Sequence, residues 1–260
     1  MPDGKSLIAL VPARAGSRRV KAKNIRPLAG HPLLAYTVSA ARASGLFDAV
    51  LVSTDSEGIA GVARHYGAEA PFLRPAALAG DRSPDIEWVT HALETLKAGG
   101  RSFDGFALLR PTSPFRSPET IRRAWKVFAG APGADSLRAV ELCGQHPGKM
   151  WVLNGPWMEP LIKDGPRNPP WHSTPTQALP PVYAQNASLE IAWTRVPLER
   201  ASIAGERVVP FITEGREGFD INQPEDWWLA EELLRRGEAN LPTVDRPPYV
   251  VHGQEAPVKS

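Results

Sequence analysis

The sequence predicts an α/β fold, a doubly wound and mostly parallel sheet carrying an extended arm, and three observations point there. The first 130 residues alternate short apolar runs with helical periodicities through short connections. The first run, Leu7 to Val11, is continuously apolar, the pattern of a strand covered on both faces. From about Leu142 to Pro181 the rhythm breaks into a stretch rich in Pro, Gly and Trp. On this reading residues 1–141 and 183–240 form one α/β domain, residues 142–182 are an inserted arm, and residues 241–260 are a loosely held tail.

Each element has its own signal. Pro12 stops the first strand, and Ala13, Ala15, Gly16 and Ser17 keep the following loop small. Pro32 to Ala43 reads as a helix whose apolar face is Leu33, Leu34, Val38 and Ala41, ended by Gly45. Ala49 to Ser53 is a second buried strand running into Thr54 and Asp55, where a cap or turn role suits the carboxylate. Ser56 to Tyr66 is helical and Gly67 stops it. Ala68 to Leu73 reads as a short strand leading to Arg74-Pro75. A polar loop, Gly80 to Ser83, then precedes a helix from Pro84 to about Leu96, with Asp81 or Ser83 as its cap. Phe103 to Leu109 is the next strand, followed by Arg110-Pro111-Thr112-Ser113-Pro114 and a helix from about Pro118 to Phe128. Ala187 to Ala192 and Arg207 to Phe211 are returning strands. Pro224 to Arg236 is a final helix with Glu225 and Asp226 in its positively polarised first turn. No internal repeat is visible.

Composition excludes several functions. A net charge of +2 over 260 residues gives no global case for nucleic acid, and the basicity is one local cluster without a basic stripe interleaved with aromatics. No run of about 18 apolar residues could span a membrane. Asp3 and Gly4 before a short strand do not read as a secretory signal. Cys143 is the only cysteine, which excludes an internal disulfide and suits a reducing cytoplasm, and the six histidines lack zinc-like spacing.

The chemistry concentrates where strands end. Arg14, Arg18, Arg19, Lys21 and Lys23 fall within ten positions without an acidic neighbour. A loop at the carboxyl edge of a sheet can converge such groups on one multiply charged anion. The spacing is neither the P-loop nor the dinucleotide fingerprint, so the motif speaks for a nucleoside triphosphate held by a different loop. The Arg110–Arg116 turn offers Thr112 and Ser113 hydroxyls on a backbone stiffened by two prolines, suiting a polyhydroxylated or anionic substrate or, alternatively, a braced turn with a helix cap. Asp220, in Gly218-Phe219-Asp220-Ile221-Asn222, is the kind of carboxylate that magnesium uses beside phosphate oxygens; both Asp220 and Asn222 also suit a helix N-terminus. Trp151, Trp157 and Trp171 in the arm are costly to leave in water, which favours packing on a partner subunit.

Taken together, residues 6–236 resemble the CMP-N-acylneuraminate (CMP-sialic acid) synthetase family of cytidylyltransferases. The likeness rests on Ala13-Arg14-Ala15-Gly16-Ser17 with Lys23-Asn24, on Val52-Ser53-Thr54-Asp55, and on Leu73-Arg74-Pro75 with Leu78-Ala79. It continues through Pro111-Thr112-Ser113-Pro114 with Arg116, His146-Pro147 with Lys149, Leu179-Pro180, Asn186 and Asp220-Ile221. The resemblance implies a Rossmann-like nucleotidyltransferase fold, and CMP transfer from CTP to a hydroxyl of an acidic, nonulosonic-acid-like sugar with magnesium as cofactor. It also implies a homodimer formed through residues 142–182. Carried over, Ala13, Arg14, Gly16, Ser17, Arg18, Lys23 and Asn24 hold the triphosphate, with Arg14, Lys23 and Asp220 catalytic. Arg74, Asp81 and Ser83 surround the cytosine and ribose. Arg110, Thr112, Ser113, Lys149, Gln177 and Asn186 face the acceptor, and Asp220 and Asn222 hold the metal.

The departures cluster around the acceptor. Arg19 stands where many members have glycine, Arg110 replaces a glutamine, and Thr176 and Ala184 stand where arginines are expected. Asn186-Ala187 replaces Asn-Gly, and the usual Asp-x-Asp is Asp220-Ile221-Asn222, which implies weaker metal binding. Arg110 could grip a carboxylate or phosphonate bidentately. The rival readings are a same-fold enzyme with another base or acceptor (CMP-Kdo-like, phosphonate or sugar-phosphate) and a non-catalytic nucleotide-binding homologue.

Overall fold

The first strand, β1 (Leu7–Pro12), is sandwiched because its alternate side chains have different neighbours. Leu7, Ala9 and Val11 join one core cluster, while Ile8 and Leu10 join another. The computed structural model describes residues 4–249, which fall into two units: residues up to Ala139 together with those from Asn186 onward, and Val140–Gln185.

The first unit is built on a six-stranded sheet in the order β10-β6-β9-β5-β1-β4. β4 (Ala49–Ser53) and β5 (Gly105–Leu108) flank β1 and run parallel to it, and β9 (Tyr183–Trp193) pairs antiparallel with β5. β6 (Ser136–Leu142) and β10 (Val208–Ile212) complete the far side. One face is covered by α1 (Leu33–Ser44), α2 (Glu57–His65) and α4 (Pro118–Ala129), through Leu34, Val38, Ile59, Ile121 and Trp125. The other is covered by α3 (Asp85–Ala98), through Trp88, Val89, Leu93 and Leu96. Burying each such side chain stabilises the layer by about 1.5–3 kcal/mol. A third cluster lies under α6 (Pro224–Arg235), where Trp227 and Leu233 meet Val20, Leu28, Leu33, Tyr36, Phe115 and Ile221. It anchors both the basic loop, through Val20, and the Asp220 segment, through Ile221.

Capping follows the local sequence. Ser117 and Thr120 close a reciprocal capping box on α4, and Ser56 Oγ accepts from Ile59 N at the start of α2. Gly45 and Gly67 take positive φ (69° and 87°) where α1 and α2 stop. At the end of the sheet where β1, β4 and β5 begin, polar side chains tie the chain down. Asp48 accepts from Leu7 N at 2.8 Å, Asp104 accepts from Ser6 N at 2.8 Å, and Thr194 Oγ1 donates to Phe103 O at 2.6 Å.

Several expectations need correction. Ala68–Leu73 is not a strand; it makes one bridge, Glu69 to Leu51, before Pro71 removes the next donor. Neither Asp81 nor Ser83 caps α3, whose N-cap Pro84 has no side-chain cap. Residues 241–249 are held rather than loose. Tyr249 N donates to Tyr66 Oη at 3.0 Å, His65 Nε2 lies 2.8 Å from Pro247 O, and Val244 packs on the core; the rest of the expected tail, 250–260, lies outside the described residues. β6, α5 (Arg195–Arg200) and the two-residue strands β2 (Pro27–Leu28) and β3 (His31–Pro32) were not anticipated.

The second unit, Val140–Gln185, spans the stretch 142–182 read from the sequence as an arm. It holds an antiparallel hairpin, β7 (Trp151–Asn154) and β8 (Trp157–Pro160), whose Leu153 and Trp157 are exposed. Trp171 packs edge-on against His146, which accepts from Gly148 N through Nδ1. Among the described residues no helix is long and apolar enough to cross a membrane.

Candidate active site

The loop after β1 is held open by its own polar contacts. Ala13 N donates to Ser53 O, extending the β1–β4 ladder past Pro12, and Ala15 N donates to Asp55 Oδ1 at 2.8 Å. Asp55 thus serves as a brace, the turn role considered from sequence. The buried Asn24 donates to Arg14 O at 3.1 Å and so joins the two ends of the loop. Arg14 Nη1 returns to Gly16 O at 2.9 Å, and Lys23 Nζ donates to Ile221 O at 2.6 Å. Burial lowers the Lys23 pKa, with Arg19 and Arg14 adding to the shift and Asp220 opposing it.

These contacts place one cavity of about 220 Å³ at the carboxyl edge of β1. Of the residues picked from sequence, Arg14, Ser17, Arg18, Lys23, Asn24, Arg74, Asp81, Ser83, Arg110 and Thr112 all line it. Ala13 is buried beneath the loop, and Gly16 is not on the wall. Arg74 forms part of the floor. Its guanidinium bonds Ser53 Oγ and Ser53 O at 3.0 and 2.9 Å, lies 4.7 Å from the Trp88 ring centroid, and is brought down to about 10 by burial. Asp81 pairs with Arg14 at 2.6 Å and Arg18 at 2.5 Å, while Ser83 Oγ accepts from Gly80 N within its own turn.

Arg110 is the main departure from expectation. It lines the cavity, but Nη2 pairs with Asp85 at 2.6 Å and Nη1 with Glu190 at 2.7 Å, so its charge is already matched. Glu190 is also paired with Arg138. Burial, the largest influence, pushes the Asp85 carboxyl up, and the Arg110 charge, hydrogen bonds from Trp88 and Arg110 and the Arg74 charge together leave that pKa lowered. Arg110 thus bridges the start of α3 and β9 through two ion pairs. Arg116, fully buried, fixes this turn by donating to Arg110 O, Ser188 O and Thr37 Oγ1. Ser113 is buried too, its Oγ without a hydrogen-bond partner among the described residues.

Asp220 and Asn222 lie beside the cavity rather than on its wall. Ile221 N donates to Thr112 O at 2.8 Å, tying their segment to the Thr112 turn. Asn222 Nδ2 donates to Asp220 Oδ2 at 2.5 Å, and Asp220 Oδ1 is buried without a hydrogen-bond partner among the described residues. That orphaned oxygen, close enough to Lys23 to influence its titration, fits a magnesium ion that takes one carboxylate and fills its remaining positions with phosphate and water. No cluster of three His, Cys, Asp or Glu occurs among the described residues. Lys149, half-buried in a short turn, and the exposed Gln177 belong to the second unit; Asn186 on β9 donates to Thr213 Oγ1 at 2.9 Å.

Asp85 and Trp88 were missed as cavity residues. The legible signal was their place in the first turn of a helix that begins beside the polar Gly80–Ser83 loop.

A sheet whose first loop gathers arginine and lysine at its carboxyl edge defines a nucleotide-binding α/β enzyme, and comparison with known proteins specifies it. A cytidylyltransferase family model matches residues 8–125. A protein of Legionella pneumophila named CMP-N,N'-diacetyllegionaminic acid synthase is 36% identical over 239 residues, covering 90% of this chain and 99% of that one. An Escherichia coli N-acylneuraminate cytidylyltransferase is 43% identical over 122 residues, 47% of this chain and 28% of its own length. Among solved structures, CMP:2-keto-3-deoxy-manno-octonic acid synthetase complexed with CTP superposes with a TM-score of 0.64 at 12% identity, covering 89% of this chain and 99% of that one, a likeness of fold. The chain belongs to the CMP-sialic-acid-synthetase-like family of cytidylyltransferases.

Proposed function

We propose that this chain transfers CMP from CTP to a hydroxyl of an acidic nonulosonic sugar and releases pyrophosphate. The observation that carries it is one cavity lined together by Arg14, Arg18, Arg19, Lys23 and Thr112. In-line displacement at the α-phosphorus needs positioning and fixed positive charge rather than a covalent relay. Arg14 and Lys23 supply that charge from a loop held by Asn24, Asp55 and Ser53. Arg74, stacked on Trp88, and the Gly80–Ser83 turn border the nucleoside. Asp220 would hold magnesium, with Asn222 Nδ2 fixing its other oxygen, and the ion would supply positive charge against the phosphates.

The acceptor we assign is a diacetamido acid of the legionaminic type, a reading supported by similarity to the Legionella protein along almost its whole length. Thr112 and Asn186 contact it, and Arg110 and Ser113 shape the turn that carries Thr112. Residues 142–182 pair two copies as a homodimer in the cytoplasm; the exposed Leu153 and Trp157 and the free Cys143 accord with that.

Pyrophosphate release measured with CTP, UTP, GTP or ATP over a panel of nonulosonic acids, with magnesium or EDTA, tests this. Release confined to CTP and magnesium, fastest with the diacetamido acid, is expected. Equal use of another nucleotide, or N-acetylneuraminate as the best acceptor, would refute the respective half of the assignment.

A further inference from the structure

Asp81 stands where an anion belongs. One carboxylate bridges two guanidinium groups of the basic loop, 2.6 Å from Arg14 Nη1 and 2.5 Å from Arg18 Nε. A carboxylate and a phosphate both offer paired oxygens, and guanidinium groups bind the two in the same bidentate manner. The contact contributes little to folding, because the Arg18 side chain is 86% exposed and such pairs are well screened by water. The hydrogen bond from Arg14 comes first among the influences that hold the Asp81 carboxyl below its ordinary range, so it is ionised at neutral pH.

The same residue divides the available space. Arg18, Gly80, Asp81 and Ser83 line both the cavity of about 220 Å³ and a neighbouring one of about 610 Å³. Ligand sites for small molecules commonly span roughly 300–1,000 Å³, and the first cavity alone falls below that range. With Asp81 drawn back, Arg14 and Arg18 would face the cavity without this counter-ion.

We propose that Asp81 is an internal competitor for the triphosphate, occupying Arg14 and Arg18 until a phosphate displaces it and reclaiming them as pyrophosphate departs. This rests on reading the cavity as the CTP site. It gives Asp81 a role opposite to that of a nucleotide contact: its carboxylate weakens nucleotide binding and hastens product loss. A competing internal state lowers apparent affinity by the fraction of molecules it occupies.

The test is calorimetric titration of the full chain with inorganic pyrophosphate and with CTP, without magnesium and at fixed ionic strength. Asp81→Asn should bind both about three- to tenfold more tightly than the parent. In an Arg18→Ala background the gain from Asp81→Asn should fall by at least half. That dependence separates direct contact from general repulsion, which would survive the loss of Arg18. Unchanged or weaker pyrophosphate binding by Asp81→Asn, or a gain indifferent to Arg18, overturns the proposal. Should the parent bind pyrophosphate but no CTP, the assignment of the nucleotide falls, while the competitor role is still decided by the pyrophosphate arm.

Discussion

Replacing Arg110 by glutamine, the residue expected at this position from the family resemblance, separates a bracing role from a ligand-gripping one. The substitution removes two ion pairs at once, to Asp85 at 2.6 Å and to Glu190 at 2.7 Å. The Glu190 side chain is only 3% exposed, so the charge it carries cannot be taken up by water. Breaking a buried pair from one side typically costs about 3–5 kcal/mol. Arg138 still faces the other Glu190 oxygen, which brings that loss down to about 2–3 kcal/mol. The Asp85 side chain, 33% exposed, adds about 0.5–1 kcal/mol after screening. A total near 3 kcal/mol corresponds to a fall in Tm of about 6–12 °C for a domain of this size. Adding Glu190→Gln should recover part of the loss, with a coupling of at least about 1 kcal/mol.

The pH dependence gives a second reading of the same change. With Arg110 present the Asp85 pKa is lowered, so its stabilising contribution is present above the unfolded carboxylate pKa and is lost as pH falls through the folded value. Without Arg110, burial still pushes the Asp85 pKa up while only the Trp88 hydrogen bond and the Arg74 charge hold it down, so that pKa lies above the parent's and the variant loses less on acidification. The stability gap between parent and variant should therefore narrow toward pH 4. Thermal unfolding followed by circular dichroism at pH 7 and pH 4 measures both effects. A Tm change under about 2 °C at pH 7, with no coupling to Glu190, would refute the brace and return Arg110 to the acceptor.

Two further outcomes are expected. Lys23→Ala should leave the unfolding midpoint within a few degrees and lower turnover by a hundredfold or more, the loss of about 2.7–4 kcal/mol of barrier stabilisation expected for one fixed charge; near-normal pyrophosphate release would remove Lys23 from the chemistry. Asp135 is held at about 2 by backbone N–H groups of Arg207 and Glu206, then by Arg195 and Arg200, so its contribution to stability is present above about pH 4 and lost as pH falls toward 2. Asp135→Asn should flatten that segment of an acid-unfolding curve, and an unchanged curve would assign the acid transition to other carboxylates.

Much of this was legible because local signals agree with the buried pattern. β1 and β4 read as strands because both faces are covered, and a run with no polar position has no other stable place. The basic loop was legible because charge without counter-charge in ten residues is costly unless something answers it. Its answer, Asp81, comes from a loop about sixty residues away, and no spacing rule connects the two. The pairing of Arg110 was illegible for the same reason, since its partners, Asp85 and Glu190, are 25 and 80 positions distant. β6 carries an alternating pattern, with Leu137 and Ala139 buried beside a half-buried Arg138, but polar residues dilute it below what a short window resolves. Ala68–Leu73 failed the other way: its composition suits a strand, and Pro71 prevents the pairing.

The side-chain ties at the end of the sheet where β1, β4 and β5 begin have an engineering consequence. Asp48, Asp104 and Thr194 bolt down the foot of the sheet, away from the basic loop, so that end is a poor place to insert or graft. The opposite rim is where side chains can be exchanged to retune substrate choice while the foot keeps the scaffold in register.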